Sequence, residues 1–381
     1  MSGEVDVVVY GATGLCGRRA CEELDAAGAA FAIAGRDPAR LDALGARFPA
    51  ARKRVATLAE PEALTRAFAG ARVVVNCAGP IGELGEPVLV GALAAGAHYV
   101  DLGGDQAFVH AMYERHESTA RRAGVVCVPG CAVIGALGDW AAAWAAAHAC
   151  GAPPDDGDPV RAEPAPRLAE DRPLDELATS YVFDDLVLSP ASQRTVFGAL
   201  HARGLAWRRD RWDPVAPAAL RRRVNAGAAM GGEREVVAFP GGCVITLPRH
   251  VAARAIDSYV STTRSAAATT ALRLLARAMP LVPRRATDLL VPYTPGDDEY
   301  ARTRFAVVAQ ARRGFAAAQV VVSGSDLYRT SAAIAAWVAR ALVGRGAGPL
   351  GMRAPSELFR PAAALRELAS LAGLAIEPSS G

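Results

Sequence analysis

The chain has 381 residues, of which 51% are hydrophobic and 21% charged, with a formal net charge of +3. That length supports two domains with cores of their own, and a small charge carried by scattered basic residues argues against a nucleic-acid partner. No apolar run reaches the roughly 18 residues that cross a bilayer without interruption; the nearest, 135–151, contains Asp139 and His148.

A predicted strand over 5–10 runs into Gly11-Ala12-Thr13-Gly14-Leu15-Cys16-Gly17, and a helix-forming segment then leads to a second strand closing on Gly35-Arg36. Three glycines spaced three apart suit a tight exit from the strand, a close backbone approach to a phosphate, and close packing of helix on sheet. A pyrophosphate then rests on the amides at the helix start. The charged residue ending the second strand is a base. An acid there would hold the ribose hydroxyls of NAD, whereas the Arg36 guanidinium can pair with a 2′-phosphate, so the expected cofactor is NADP, with Arg40 as a second contact.

A helix through residue 44 starts at Asp37-Pro38, followed by a short strand at 54–58 and a helix at 60–68. The β-branched run 72–76 reads as a buried parallel strand whose carboxyl end, Cys77-Ala78-Gly79-Pro80, faces the cofactor. Helices over 86–95 and 106–123 and strands at 98–102 and 124–129 continue the alternation, which predicts a doubly wound parallel sheet. An Ala- and Trp-rich helix at 136–149 closes this domain, and Pro-rich residues 151–173 form a linker. Beyond it, 179–183, 236–239, 243–247, 305–312 and 315–323 read as antiparallel strands, with helices at 191–203, 325–343, from Ser356, and at 365–374. The expected class is α/β: a Rossmann domain over 1–150, an α+β domain with an antiparallel sheet over 174–324, and C-terminal helices over 325–381 that return to the first domain.

The first strand begins almost at residue 1, leaving no room for a signal peptide, so a cytoplasmic location is expected. Cys16, Cys21, Cys77, Cys127, Cys131, Cys150 and Cys243 include no Cys-x-x-Cys pair, so they read as reduced, mostly buried thiols with no metal site. Arg208-Arg209 and Arg221-Arg222-Arg223 read as solvated surface.

The motifs together resemble the saccharopine dehydrogenase-like oxidoreductases, including the trans-acting enoyl reductases. The matching segments are Tyr10-Gly11-Ala12-Thr13-Gly14, Ala34-Gly35-Arg36-Asp37, Val75-Asn76-Cys77-Ala78-Gly79-Pro80, Gly96-Ala97-His98-Tyr99-Val100-Asp101-Leu102, Val128-Pro129-Gly130-Cys131, Phe239-Pro240-Gly241-Gly242, Leu247-Pro248-Arg249 and Val322-Ser323-Gly324-Ser325-Asp326-Leu327-Tyr328. The resemblance implies an N-terminal Rossmann domain holding NADP, a C-terminal domain around an antiparallel sheet, and a substrate cleft between them. Members reduce imines, enoyl groups or related acceptors by hydride transfer. Relatives follow the Pro-x-Cys turn with a polar Gly-Phe-Asp-Ser-type segment, but this chain has Ala132-Val133-Ile134-Gly135-Ala136. Losing those polar anchors favours an apolar substrate over saccharopine.

Candidate catalytic residues are Tyr99 and Asp101, which share one face of a strand end, and Tyr181 and His250 in the second domain. Arg249, Tyr259 and Cys131 are further candidates. No Tyr-x-x-x-Lys pair occurs, and Lys53 is the only lysine, so water or the substrate itself is left to supply a proton. The expected function is an NADPH-dependent reductase of a C=C, C=N or C=O bond in an apolar small molecule, such as a tailoring enoyl or imine reductase of secondary metabolism acting as a homodimer. A saccharopine-type amino-acid dehydrogenase and a non-catalytic NADP-binding redox sensor are the alternatives.

Overall fold

The computed structural model describes residues 5–153, 155–163, 165–282, 294–344 and 349–380. The chain divides into two units. The first comprises Met1–Gly103, Phe108–Ala132 and Tyr328–Arg353, and the second Gly104–Ala107, Val133–Leu327 and Ala354–Gly381.

In the first unit, strands β1 (Val5–Tyr10), β2 (Phe31–Gly35), β3 (Arg52–Val55), β4 (Ala71–Asn76), β5 (His98–Asp101) and β6 (Val126–Val128) alternate with helices. These are α1 (Leu15–Ala26), α2 (Pro38–Gly45), α3 (Pro61–Phe68), α4 (Ile81–Ala94) and α5 (Gln106–Arg122). A two-residue strand, Gly351–Met352, numbered β15 from its place in the chain, pairs beside β6. The sheet order is β15-β6-β5-β4-β1-β2-β3 with every pair parallel. Val7, Val8 and Val9 of β1 and Val73, Val74 and Val75 of β4 are fully buried. Continuous β-branched runs of this kind belong to strands covered on both faces, which is why they do not alternate. The order reverses beside β1, placing a topological switch point between the carboxyl ends of β1 and β4. Helix α4 starts at Ile81, five residues before its expected position, with Pro80 at its N-cap and Pro87 inside it.

The second unit contains α6 (Gly138–Ala149), β7 (Glu176–Asp184), α7 (Pro190–His201), β8 (Gly204–Arg208), β9 (Arg211–Val215), β10 (Arg221–Asn225), β11 (Glu233–Ala238), α8 (Cys243–Thr246), β12 (Ala255–Ser261), α9 (Ala266–Ala278), β13 (Arg304–Arg313), β14 (Ala316–Ser325) and β16 (Ala375–Ser380). The sheet runs β10-β11-β12-β7-β13-β14-β16, with the β8-β9 hairpin attached to β12. It is mixed rather than wholly antiparallel, because β12 and β7 run parallel, with Tyr259 opposite Ser180. Three expectations change here. Residues 243–247, expected as a strand, form α8 and a following turn; a short buried apolar run has no period that separates strand from helix. Helix α6, expected to close the first domain, packs in the second unit against β13, β14 and the helix Pro361–Ala372. Ten of its twelve residues are buried, as a helix apolar on all sides requires. The stretch 325–381 divides between the units, with Tyr328–Arg353 in the first and Ala354–Gly381 in the second.

Candidate functional site

The switch point of the first unit is shaped by glycine. Gly11 leaves β1 with φ +78°, and a Cβ on it would lie 2.6 Å from the Ala78 nitrogen. A Cβ on Gly17 would lie 2.2 Å from the Gly11 carbonyl oxygen, so α1 can sit on the loop only with glycine there. Gly14 is the N-cap of α1, without a side-chain cap, and no acid occupies the first turn. The positive end of the helix dipole and its leading amides are therefore presented past the loop.

The opposite wall is the exit of β4. Buried Asn76 donates from Nδ2 to the Tyr99 hydroxyl at 3.1 Å and accepts the Ala78 N–H at 3.0 Å, and the Cys77 N–H donates to the Tyr10 carbonyl at 2.8 Å. Cys77 and Ala78 are half-buried, Gly79 is exposed and Pro80 buried, while burial raises the Cys77 thiol well above its ordinary pKa. Thr13, Leu15 and Cys16 are half-buried on the other side. Arg36 is exposed at the end of β2 and has neither a hydrogen bond nor an ion pair among the described residues. Arg40 reaches back, its Nη2 donating to the Thr13 carbonyl at 3.2 Å, while its backbone N–H is capped by Asp37 at 3.1 Å. A cradle that a Cβ would fill, an uncapped helix start and an unpaired guanidinium fit a dinucleotide carrying a 2′-phosphate. The expected cofactor residues are thus brought together, on three adjacent loops of one sheet edge.

Tyr99 and Asp101 are also brought together, but inside. Both are fully buried. Asp101 Oδ1 accepts the N–H groups of Gly103 at 2.7 Å and Gly130 at 2.9 Å, clamping the loops after β5 and β6. Its Oδ2 has no hydrogen-bond partner of good geometry, although the nearby Tyr99 hydroxyl helps to hold the acid's pKa down. Burial wins, and the carboxyl is pushed up to about 6. The Tyr99 hydroxyl is raised well above its ordinary range by burial and by the Asp101 charge. Cys131 is buried, and its thiol donates to the Val128 carbonyl at 3.3 Å.

In the second unit, Tyr181 and His250 fall on one buried polar cluster around α8. The Tyr181 hydroxyl donates to Cys243 Sγ at 3.2 Å, and Thr179 Oγ1 lies 3.1 Å from the same sulfur. At the other end of α8, Thr246 donates to Asp139 Oδ2, which also meets His250 Nε2 at 3.0 Å. Ser356 donates to Asp139 Oδ1 from its backbone N–H at 3.0 Å and from its hydroxyl. Burial opposes ionisation of Asp139, but the His250 charge and these donors together hold its pKa below the ordinary value. In the sequence Asp139 is only a polar break in an apolar helix, and the signal it offers is a lone acid in an Ala-rich stretch. Arg249 pairs with Glu357 at 2.9 Å, and Tyr259 stacks under Arg222 at 5.6 Å. Arg222 also pairs with Glu176, so the arginines of β10 are partly engaged rather than simply solvated. The described residues contain no group of three or more His, Cys, Asp or Glu placed to hold a metal ion, and no helix among them is long and apolar enough to cross a membrane.

Comparison with known proteins agrees with this geometry. Residues 7–128 match the family model "Saccharopine dehydrogenase NADP binding domain". Relatives include a lipid droplet localized protein of Caenorhabditis elegans, 33% identical over 138 residues, or 33% of this chain and 32% of the relative. A protein of Mycobacterium tuberculosis named as a trans-acting enoyl reductase is 34% identical over 134 residues, 34% of this chain and 32% of its own. A mitochondrial saccharopine dehydrogenase-like oxidoreductase of Arabidopsis thaliana is 29% identical over 141 residues, covering 33% and 31%. These matches span about a third of each relative's length. Among solved structures, apo saccharopine dehydrogenase (L-Glu forming) from Saccharomyces cerevisiae matches with a TM-score of 0.59 at 11% identity, over 99% of this chain and 100% of that one; at that identity the likeness is one of fold. Residues 7–128 are therefore similar to the NADP-binding domain of the saccharopine dehydrogenase family, carried on a chain whose fold is like that of saccharopine dehydrogenase.

Proposed function

We propose that the chain is an NADPH-dependent oxidoreductase that reduces a C=C, C=N or C=O bond of an apolar small molecule. The observation that carries this reading is the cradle at the β1/β4 switch point, where an uncapped helix start and an unpaired Arg36 lie on one sheet edge. NADPH, when bound there, supplies the hydride. Gly11, Gly14 and Gly17 keep the phosphate approach open, the first amides of α1 hold the pyrophosphate, and Arg36 with Arg40 holds the 2′-phosphate. Cys77, Ala78, Gly79 and Pro80 form the wall along which the dinucleotide extends. Asn76 and Asp101 keep that edge in shape by tying backbone N–H groups of the β4, β5 and β6 exits. Tyr99, Tyr181, Asp101 through Oδ1 and His250 through Nε2 are hydrogen-bonded to protein neighbours, so they are positioning residues in this reading, and the proton comes from water or from the acceptor.

The names of the relatives support a reductive reaction, and the apolar 132–136 segment supports an apolar acceptor over an amino acid. The test is NADPH consumption by the purified chain with a set of aliphatic enones, imines and ketones, run beside saccharopine with NADP. Turnover of an apolar acceptor with NADPH preferred to NADH is expected. Saccharopine turnover alone would move the assignment to an amino-acid dehydrogenase, and tight NADPH binding without any hydride transfer would move it to a redox sensor.

A further inference from the structure

The second unit holds an apolar cavity of about 100 Å³ that is partly open to solvent. Strands alternate their side chains: Ala178 and Val182 of β7 belong to the core on one face of the sheet, whereas Tyr181 and Phe183 line the cavity on the other, with Val237 of β11 and Val260 of β12. Helices α7 and α9 cover it through Leu200 and Ala276, and Ile134 closes one end. Ile134 belongs to the apolar segment 132–136. Among the described residues the lining carries no charged group. Its polar side chains are Tyr181, whose hydroxyl is spent on Cys243, and Thr262. Water needs two to four polar partners to settle in such a space, and protein interiors otherwise close-pack. A side open to solvent is given by half-buried Leu186 and Leu188.

We propose that this cavity is a binding site for the end of a linear alkyl chain a few carbons long. Its volume is below the ~150 Å³ that accepts benzene in an engineered cavity, so the size selects an unbranched chain over a ring. Its role as the subsite for the substrate's hydrocarbon tail rests on the reductase reading; the alkyl binding itself does not.

The experiment titrates the full chain with 1-pentanol and with cyclohexanol by ligand-observed NMR, and separately with NADPH by fluorescence. Saturable 1-pentanol binding, at least tenfold tighter than cyclohexanol, is expected. Val237→Trp, which fills the space, is expected to weaken 1-pentanol at least tenfold with NADPH affinity unchanged. Phe183→Ala, which widens it, is expected to admit cyclohexanol. Absence of saturable 1-pentanol binding, or equal binding by a folded Val237→Trp chain, overturns the proposal; should that variant not fold, failure of Phe183→Ala to gain cyclohexanol overturns it. Alkyl binding without NADPH binding would sink the reductase reading and leave this site standing, and the reverse result would do the opposite.

Discussion

Asp101 offers the sharpest test of the physical account, because its environment is fully specified. The carboxyl is completely buried, holds two backbone N–H groups through one oxygen, and is raised from 3.8 to about 6. A raised carboxyl pKa means that the folded chain binds the proton more tightly than the unfolded one. Stability is therefore greatest in acid and falls as pH rises from the unfolded value toward the folded one. A shift of roughly two units corresponds to about 3 kcal/mol, and about 2 kcal/mol of it is lost between pH ~4.5 and ~7.5. Asp101→Asn preserves an oxygen for the Gly103 and Gly130 donors but cannot ionise. Equilibrium urea unfolding of both chains, followed by circular dichroism across that range, is the assay. The stability of Asp101→Asn relative to the parent is expected to improve by about 2 kcal/mol from the acid to the neutral end. Parallel pH profiles would show that burial does not dominate at this carboxyl.

Other consequences follow from the same geometry. Arg36→Asp removes a charge-assisted contact of about 1.5–3 kcal/mol, so NADPH titration should show roughly 10- to 100-fold weaker binding, with NADH gaining relative to NADPH; unchanged NADPH affinity would remove Arg36 from the site. Gly17→Ala puts a Cβ 2.2 Å from the Gly11 carbonyl oxygen, and because that obstacle is backbone, NADPH binding should disappear even where circular dichroism reports a folded chain. Asp139→Ala leaves His250 and Ser356 buried without their partner, which should cost about 3–5 kcal/mol near neutral pH. Because the Asp139 pKa is depressed in the fold, the loss should shrink in urea unfolding as acid titrates that carboxyl. Tyr181→Phe deletes a single hydroxyl–thiol contact, so a stability loss near 1 kcal/mol with NADPH affinity intact is expected; a large loss of NADPH affinity would contradict its placement.

The glycine loop after β1 was readable because its determinants are local. Gly11, Gly14 and Gly17 lie within seven residues, and their spacing reports the turn, the helix start and the helix-sheet contact at once. The runs of β1 and β4 are equally local, since strands covered on both faces leave an unbroken β-branched signature. The second unit was less legible. Its β8-β9 hairpin turns at Arg209 and Asp210, both with positive φ, without the Asn-Gly or Asp-Gly pair that marks such turns. Strand β10 hides in Arg221-Arg222-Arg223, because an edge strand tolerates charge.

The sequence by itself determined an α/β unit that matches an NADP-binding domain, and it singled out Gly11, Gly14, Gly17 and Arg36 as the residues to test there. Tertiary structure alone decided that α6 belongs to the second unit, that 243–246 is helical, that Asp139 joins Thr246, His250 and Ser356, and that Ile134 helps to line an apolar cavity. The division has a physical cause: strand, turn and helix preferences act over a few residues, whereas a buried carboxylate or an empty space is defined by partners 100 or more positions away, as Asp139 is from His250 and Ser356. Chain order carries no record of those meetings.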